Sequence, residues 1–208
     1  MKTNSDAHII SGPSGDIEVR IKQHGSAKHS KLVVISHPHP LYGGTMNNKV
    51  VITLERAFYS LGYHTVAYNF RGVGASQGEY DNGEGEQQDL QAVLKSAQQL
   101  LKPEQTVLAG FSFGSYVLLK GLAACSDVDA ICTVAPPVGL YDFSAIETVE
   151  LPWVMIQGGE DEVVDAKEIM DWAMCQKPTP DIYLRAKASH FFHGELVWMR
   201  KLIESIYC

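Results

Sequence analysis

The strongest constraint on the fold of this chain lies at residues 106–124, where an apolar β-rich run, a Gly-Phe-Ser-Phe-Gly turn and an apolar helical run follow one another. This order predicts a strand, a sharp elbow and a helix. Strand and helix nearly touch at such an elbow, so small residues are needed on both sides of the serine. Gly110 and Gly114 supply them, and we predict that Ser112 presents its hydroxyl clear of the sheet edge.

The same five-residue pattern occurs a second time around Ser76, within Gly-Ala-Ser-Gln-Gly. Loop-forming residues follow this serine over 77–85, so no helix can begin there. A nucleophile elbow requires strand, turn and helix without interruption. We therefore interpret Ser76 as an ordinary loop serine and Ser112 as the candidate nucleophile.

Short apolar runs alternate with helical periodicity along the rest of the chain. Period-two alternation predicts a half-exposed antiparallel strand at 17–22. Continuous apolar runs predict further strands at 32–36, 65–70, 106–111, 130–135, 153–157 and 182–185. Helical spacing of apolar residues predicts helices over 50–61, 86–101, 113–124, 165–175 and from 195 onward. The fold class is therefore α/β, a doubly wound, mostly parallel sheet with helices on both faces.

Length and composition favour one domain spanning residues 1–208. The chain is 45% hydrophobic and 20% charged, and no linker-like segment divides it. Only residues 136–152 separate two of the predicted core strands. A helical lid would need a longer insertion, so we expect a minimal fold with an open cleft.

Charge and cysteine content limit the partners and the compartment. A net charge of −7 disfavours binding to nucleic acid or to an anionic membrane surface. The four cysteines have no paired spacing, which is typical of reduced thiols in the cytoplasm. No segment has the apolar length of a signal peptide or a membrane span. We expect a soluble cytoplasmic protein, either a monomer or a small homo-oligomer.

Candidate catalytic residues follow several of the predicted strands. Ligands of parallel sheets bind at the carboxyl ends of the strands. A nucleophilic serine needs an imidazole to take its proton, and the imidazole needs a carboxylate to hold its tautomer. Asp161 and His190 follow two later strands, in the chain order serine, acid, histidine that such sheets use. We therefore expect both over the same sheet edge as Ser112.

Each of these two residues has rivals nearby in the sequence. Glu160 and Asp165 compete with Asp161, although Asp165 is better interpreted as the cap of the following helix. His193 competes with His190, and we interpret it as a packing or capping group if a helix begins nearby.

Two further clusters suggest ligand binding, but we interpret both as structural. The histidines could indicate a metal site, yet nothing adds the usual carboxylate arrangement, so we expect no metal and no cofactor. The glycine-rich loop after Arg71 lacks the lysine and the full spacing of a P-loop. We expect Arg71 to pair with an acid such as Asp89 and brace that loop.

Four segments together carry a family resemblance. They are a His-Pro-His-Pro loop at 37–42, a Phe-Arg-Gly-Val-Gly segment at 70–74, the elbow at 110–114 and a His-Phe-Phe-His segment at 190–193. Over essentially its whole length the chain resembles the α/β-hydrolase superfamily, and within it the small, lidless, dienelactone-hydrolase-like branch. Dienelactone hydrolases proper use a cysteine nucleophile, whereas this chain has Ser112. The departure favours a serine esterase over a dienelactone hydrolase.

The resemblance implies a role for each candidate residue. Ser112 would be the nucleophile, Asp161 the acid and His190 the base. It also implies an oxyanion hole, formed by the backbone amide of Phe113 and a second amide from the loop after the strand at 32–36.

The second oxyanion amide has three candidates, because prolines at two positions of the loop have no N–H. His39, Leu41 and Tyr42 remain. We favour Leu41, because two prolines hold it and the glycines after it allow close approach.

The function expected from these residues is that of a serine hydrolase. It would cleave a small-molecule ester or thioester through an acyl-enzyme on the Ser-His-Asp triad, without a cofactor. One alternative is a peptidase or acyltransferase on the same triad, since fold and triad do not determine the acceptor. Another is a non-catalytic binding protein with the α/β-hydrolase fold.

Overall fold

Eight strands form one sheet in the computed structural model, which describes residues 6–25, 30–144, 146 and 148–208. The strands are β1 (Asp6–Gly12), β2 (Gly15–Lys22), β3 (Lys31–Ser36), β4 (Tyr63–Tyr68), β5 (Gln105–Phe111), β6 (Ala130–Val134), β7 (Trp153–Gly158) and β8 (Asp181–Arg185). The α-helices of the described chain are α1 (Lys49–Ser60), α2 (Glu84–Leu101), α3 (Phe113–Gly121), α4 (Ala166–Cys175) and α5 (Leu196–Ile206). Short 3₁₀ helices lie at Pro40–Tyr42 and Leu122–Ala124.

The sheet is mostly parallel, as predicted, with the strand order β1-β2-β4-β3-β5-β6-β7-β8. β2 pairs antiparallel with both β1 and β4, which confirms the prediction for residues 17–22. All the other neighbouring pairs are parallel. The carboxyl ends of β3 to β8 therefore meet at one edge, where ligands of such sheets bind.

Helices cover both faces of the sheet because the central strands are apolar on both sides. Leu108 of β5 belongs to one buried cluster, together with Leu90 of α2 and Ile169 of α4. Its neighbour Val107 belongs to the other, with Leu54 of α1. Successive residues of a strand point to opposite faces, so the two clusters are the two cores of a three-layer fold.

The predicted and observed elements differ mainly at their ends. The helix expected over 113–124 is interrupted, because α3 ends at Gly121 and a 3₁₀ turn continues the chain to Ala124. β8 occupies the edge of the sheet and is only partly buried. Helix ends fray and tighten in this way without changing the topology.

The described residues form no lid over the carboxyl edge of the sheet. Between β6 and β7 the described residues, 135–144, 146 and 148–152, form no helix and make only an isolated bridge between Val138 and Tyr141.

The ion pair expected between Arg71 and Asp89 is present. The Arg71 guanidinium donates two hydrogen bonds of 2.8 Å to the Asp89 carboxylate. This buried ion pair ties the loop after β4 to α2.

No α-helix in the described part of the chain combines the length and apolarity needed to cross a membrane. Residues 1–5, which begin the segment where we expect no signal peptide, lie outside the described ranges. Residues 26–29, between β2 and β3, lie outside them as well.

Candidate active site

Ser112 occupies the sharp elbow between β5 and α3, as predicted. Its backbone has φ 52° and ψ −120°, a conformation that residues with a Cβ rarely adopt. The Ser112 amide donates to the Val134 carbonyl of β6 at 2.8 Å, which anchors the strained residue to the sheet. The side chain stays at the sheet edge, where the residue keeps 8% of its surface exposed.

The two glycines of the elbow are required by close backbone approach. A Cβ on Gly110 would lie 2.5 Å from the Gly114 carbonyl oxygen. A Cβ on Gly114 would lie 2.4 Å from the Ser36 carbonyl oxygen at the end of β3. Both distances are far below van der Waals contact, so the helix can pack against the strands here only with glycine at both positions.

The structure brings Ser112, His190 and Asp161 together in one chain of hydrogen bonds. Ser112 Oγ lies 3.0 Å from His190 Nε2, and His190 Nδ1 lies 2.8 Å from Asp161 Oδ2. A carboxylate only accepts, so Nδ1 carries the ring proton and the neutral ring accepts the serine hydrogen at Nε2. This is the geometry of a nucleophile, a base and an orienting acid.

Asp161 is held by four hydrogen-bond donors. Its Oδ1 accepts from the amides of Val163 and Val164 at 2.9 and 3.0 Å, and its Oδ2 accepts from Gln157 Nε2 at 3.1 Å as well as from His190. Burial raises the pKa of Asp161, but the bonds from His190 and the two valine amides outweigh burial and leave the pKa lowered. The carboxyl group is therefore ionised when it faces the imidazole.

The backbone and ring of His190 are both fixed by neighbours. Its amide donates to Glu162 Oε2 at 2.9 Å. The ring centroid lies 5.2 Å from that of Phe111 and 5.1 Å from that of Phe191. With an exposed fraction of 2%, His190 can turn little from the line that joins Asp161 to Ser112.

The rivals named from the sequence lie elsewhere. Glu160 is exposed to solvent. Asp165 accepts from the amides of Lys167 and Glu168, which confirms its prediction as the cap of α4. His193 is exposed and stacks on Phe191 with ring centroids 5.9 Å apart. In the structure, neither carboxylate takes the place of Asp161 beside His190.

Ser76 has a structural role in the loop after β4. The residue is buried, donates to the Asn69 carbonyl at 2.7 Å and accepts from the Glu18 amide at 2.9 Å. These bonds tie the loop to β2 and leave the hydroxyl without a base, in agreement with its interpretation as a loop serine.

The Leu41 amide, which we expected to be the second oxyanion donor, already has an acceptor in the structure. It donates to His39 Nδ1 at 3.1 Å, and Leu41 is 68% exposed. The Tyr42 amide donates to the His39 carbonyl at 3.2 Å. Within the described residues, neither the His39 amide nor the Phe113 amide has a hydrogen-bond acceptor. Of the three candidate amides in this loop, that of His39 therefore remains available.

His37 shapes the loop that carries these amides. Its Nδ1 donates to the Pro38 carbonyl at 2.5 Å and its Nε2 accepts from the Phe70 amide at 3.0 Å. Complete burial lowers the pKa of His37 from 6.5 to about 4, so the ring stays neutral near pH 7 and joins β3 to the end of β4.

The His39 ring lies among aromatic side chains, in contact with the residue that follows Ser112. Its centroid is 5.1 Å from that of Phe113, and its Nε2 lies 3.1 Å from the Tyr80 hydroxyl. Burial lowers the pKa of His39. Of the other aromatic residues near the site, Phe111 and Phe192 are fully buried and belong to the core.

Two groups that hold Asp161 and His190 were missed from the sequence. Gln157 and Glu162 contact Asp161 and the His190 backbone respectively. Gln157 could have been found, because it is a polar residue at the end of the apolar run Trp-Val-Met-Ile. Glu162 gives no such signal, since it lies among other acidic residues of a loop.

Among the described residues, no three or more His, Cys, Asp or Glu side chains are arranged to hold a metal ion.

The strained backbone of Ser112 leads to a prediction about stability. Replacing Ser112 by Gly or by Ala removes the same hydroxyl, but only Gly relieves the unfavourable φ and ψ. We expect the Ser112→Gly variant to be more stable than the Ser112→Ala variant, with a free energy of unfolding higher by roughly 1 kcal/mol. This difference already allows for the greater entropy of Gly in the unfolded chain. The midpoint of thermal unfolding should rise by roughly 2–4 °C. A lower midpoint for the Gly variant would show that the elbow is not strained.

Comparison with known proteins extends the likeness along nearly the whole chain. A family model described as the alpha/beta hydrolase fold matches residues 41–150. A serine hydrolase without a lid from Xanthomonas campestris is 36% identical, with a TM-score of 0.91 over 99% of this chain and 94% of that one. An alpha-beta serine hydrolase homologue from Coxiella burnetii is 42% identical, with a TM-score of 0.91 over 99% and 98% of the two chains. An uncharacterized protein of Rickettsia prowazekii is 36% identical over 166 residues, which cover 78% of this chain and 69% of the relative.

Proposed function

Since the chain belongs to the alpha/beta hydrolase fold family and is a hydrolase, we propose that it cleaves a small ester or thioester through an acyl-enzyme formed on Ser112. The observation that carries the proposal is the hydrogen-bonded chain from Ser112 Oγ through His190 to Asp161, with distances of 3.0 and 2.8 Å. All three side chains lie at the open carboxyl edge of the sheet.

Acylation begins with proton transfer from Ser112 to His190. The neutral ring presents its Nε2 lone pair to the hydroxyl, so the ring takes the proton as Oγ attacks the substrate carbonyl carbon. The imidazolium that forms is stabilised by Asp161, which is already ionised and already hydrogen-bonded to Nδ1. No side chain has to turn before the reaction.

Negative charge on the carbonyl oxygen is met by backbone amides. The Phe113 amide opens α3, where the helix N-terminus favours negative charge. We assign the second donor to the His39 amide in place of Leu41, because the Leu41 N–H is used by the His39 ring. Two amides that follow different strands, β3 and β5, would then hold the oxyanion.

Deacylation repeats the same transfers with water. His190 first gives its proton to the leaving alcohol or thiol, which departs as the acyl-enzyme forms. The neutral ring then takes a proton from a water molecule that attacks the acyl carbon, and returns it to Ser112 Oγ. Besides water, the proposed cycle needs only Ser112, His190, Asp161 and the two backbone amides.

The rim of the cleft supports a small substrate with an apolar part. Leu41 and Tyr42 follow β3, Leu140 follows β6 and Phe191 follows β8, and all four side chains are exposed at the edge that carries Ser112. Without a lid, they offer apolar contact on the side of the substrate that would otherwise face water. Because this edge of the sheet is uncovered, the protein has little surface with which to enclose a long acyl chain of a substrate.

A panel of substrates tests the proposal. We expect the purified full-length protein to hydrolyse short p-nitrophenyl esters or the corresponding thioesters, with release of one p-nitrophenol per ester cleaved, and a p-nitroanilide much more slowly. Faster anilide cleavage would identify a peptidase, and a product formed with an added alcohol in preference to water would identify an acyltransferase. Absence of turnover together with absence of fluorophosphonate labelling would contradict any catalytic role and favour a binding protein.

A further inference from the structure

We propose that Gln157 is a positioning residue that holds the Asp161 carboxylate in line with the His190 ring. Gln157 touches neither Ser112 nor the oxyanion amides, so it would act only through its neighbour. The inference rests on the proposed function for its kinetic consequences, but not for its effect on the His190 ring.

The position of Gln157 makes its side-chain amide part of the support for the triad. The residue lies in β7, one position before the end of that strand, and is fully buried. Its Nε2 donates to the Gly158 carbonyl at 3.0 Å and to Asp161 Oδ2 at 3.1 Å. Both partners can only accept, so the NH₂ end of the amide must be the end that faces them.

Gln157 donates its hydrogen bond to Asp161 Oδ2, the carboxylate oxygen that also accepts from His190. Asp161 Oδ2 also accepts from His190 Nδ1, whereas Oδ1 is occupied by the amides of Val163 and Val164. Gln157 therefore fixes the rotation of the carboxylate that sets the direction of the His190 ring. It does so from the rigid end of a strand, while the two valine amides belong to the following loop.

The amide also acts electrostatically. The positive end of its N–H dipole points at Asp161 Oδ2, the oxygen that also accepts from His190 Nδ1, and partly offsets the charge of the carboxylate there. Removal of this donor should therefore alter the hydrogen bond between Asp161 Oδ2 and His190 Nδ1.

The acceptor oxygen of the Gln157 side chain allows a positioning role to be distinguished from a purely structural one. Gln157 Oε1 is buried and has no hydrogen-bond partner among the described residues. A buried unpaired acceptor is unfavourable for folding. Gln157→Met keeps the length of the side chain, removes this acceptor and removes the donor to Asp161. If Gln157 acts on the triad, the protein should lose activity without losing stability.

The test compares Gln157→Met with a matched control, Gln98→Met. The Gln98 amide also donates to two backbone oxygens, those of Ser126 and Asp127, but it lies on α2 away from the site. We expect Gln157→Met to lower kcat on a short p-nitrophenyl ester about tenfold, with KM and the thermal midpoint unchanged. Gln98→Met should change none of these.

The NMR resonance of the His190 Nδ1 proton separates this inference from the proposed function. We expect this resonance to move in Gln157→Met relative to the unmodified protein, whether or not any ester is cleaved, because its acceptor, Asp161 Oδ2, has lost a second donor. An unchanged Nδ1 proton resonance, or an equal effect of Gln98→Met, would overturn the inference. So would a failure of both Gln157→Met and Gln157→Leu to fold, because Gln157 would then be a structural residue. Inactivity of the unmodified protein would contradict only the proposed function.

Discussion

Replacement of Ser112 by Ala should reduce ester hydrolysis by roughly 10⁴- to 10⁶-fold and abolish labelling by a fluorophosphonate probe. The hydroxyl is the only group in the proposed mechanism that bonds covalently to substrate, and no other described hydroxyl lies against His190 Nε2. The backbone should be unaffected, because Ala retains the Cβ of Ser112. Initial rates and mass spectrometry of the labelled protein measure the two effects.

Ser76→Ala is the matched control, because Ser76 is the serine of the other Gly-x-Ser-x-Gly pattern. Its hydroxyl joins Asn69 to Glu18 and has no base nearby, so labelling should remain at the level of the unmodified protein. Labelling that survives in Ser112→Ala, or that disappears in Ser76→Ala, would contradict the assignment of the nucleophile.

Asp161→Asn should lower kcat by about 10⁴-fold while the fold is retained. All four partners of the Asp161 carboxylate are donors, and a carboxamide has only one accepting oxygen. If that oxygen stays with the valine amides, the NH₂ group faces Gln157 and His190. The ring must then accept at Nδ1 and carry its proton at Nε2, where it cannot receive the proton of Ser112.

Asp165→Asn provides the control for this substitution. Asp165 caps α4 through the amides of Lys167 and Glu168, and Asn caps helices about as well as Asp. We expect its kcat to match that of the unmodified protein. A loss in Asp165→Asn comparable with that in Asp161→Asn would show that the acidic loop as a whole, and not one carboxylate, supports the ring.

The fold could be predicted because its signals are local and repeated. Each core strand is a continuous apolar run, each helix has apolar spacing near 3.6, and the elbow at Ser112 is marked by Gly110 and Gly114. The juxtaposition of Asp161 and His190 with Ser112 also followed from the sequence, because parallel strands bring their carboxyl ends to one edge. These arguments need only the order of the elements.

The details that escaped prediction depend on hydrogen bonds within loops. The sequence left His39, Leu41 and Tyr42 as candidates for the oxyanion hole, and only the structure shows that the ring and the carbonyl of His39 accept from the amides of the last two. Gln157 was missed for a related reason. Its partner Asp161 lies four residues along a loop whose curvature, and therefore whose contacts, no periodic pattern specifies.

The uncovered edge of the sheet governs the fate of the proposed acyl-enzyme. A lid would shield the acyl carbon and let a bound acceptor compete with water, but the described residues between β6 and β7 form none. In the proposed mechanism water would reach the acyl carbon directly, and it is present at far higher concentration than any dissolved alcohol or amine. The proposed acyl-enzyme should therefore react with water more often than with another acyl acceptor, by mass action alone. The short segment between β6 and β7 would in this way select hydrolysis over acyl transfer, two reactions that the same triad could perform.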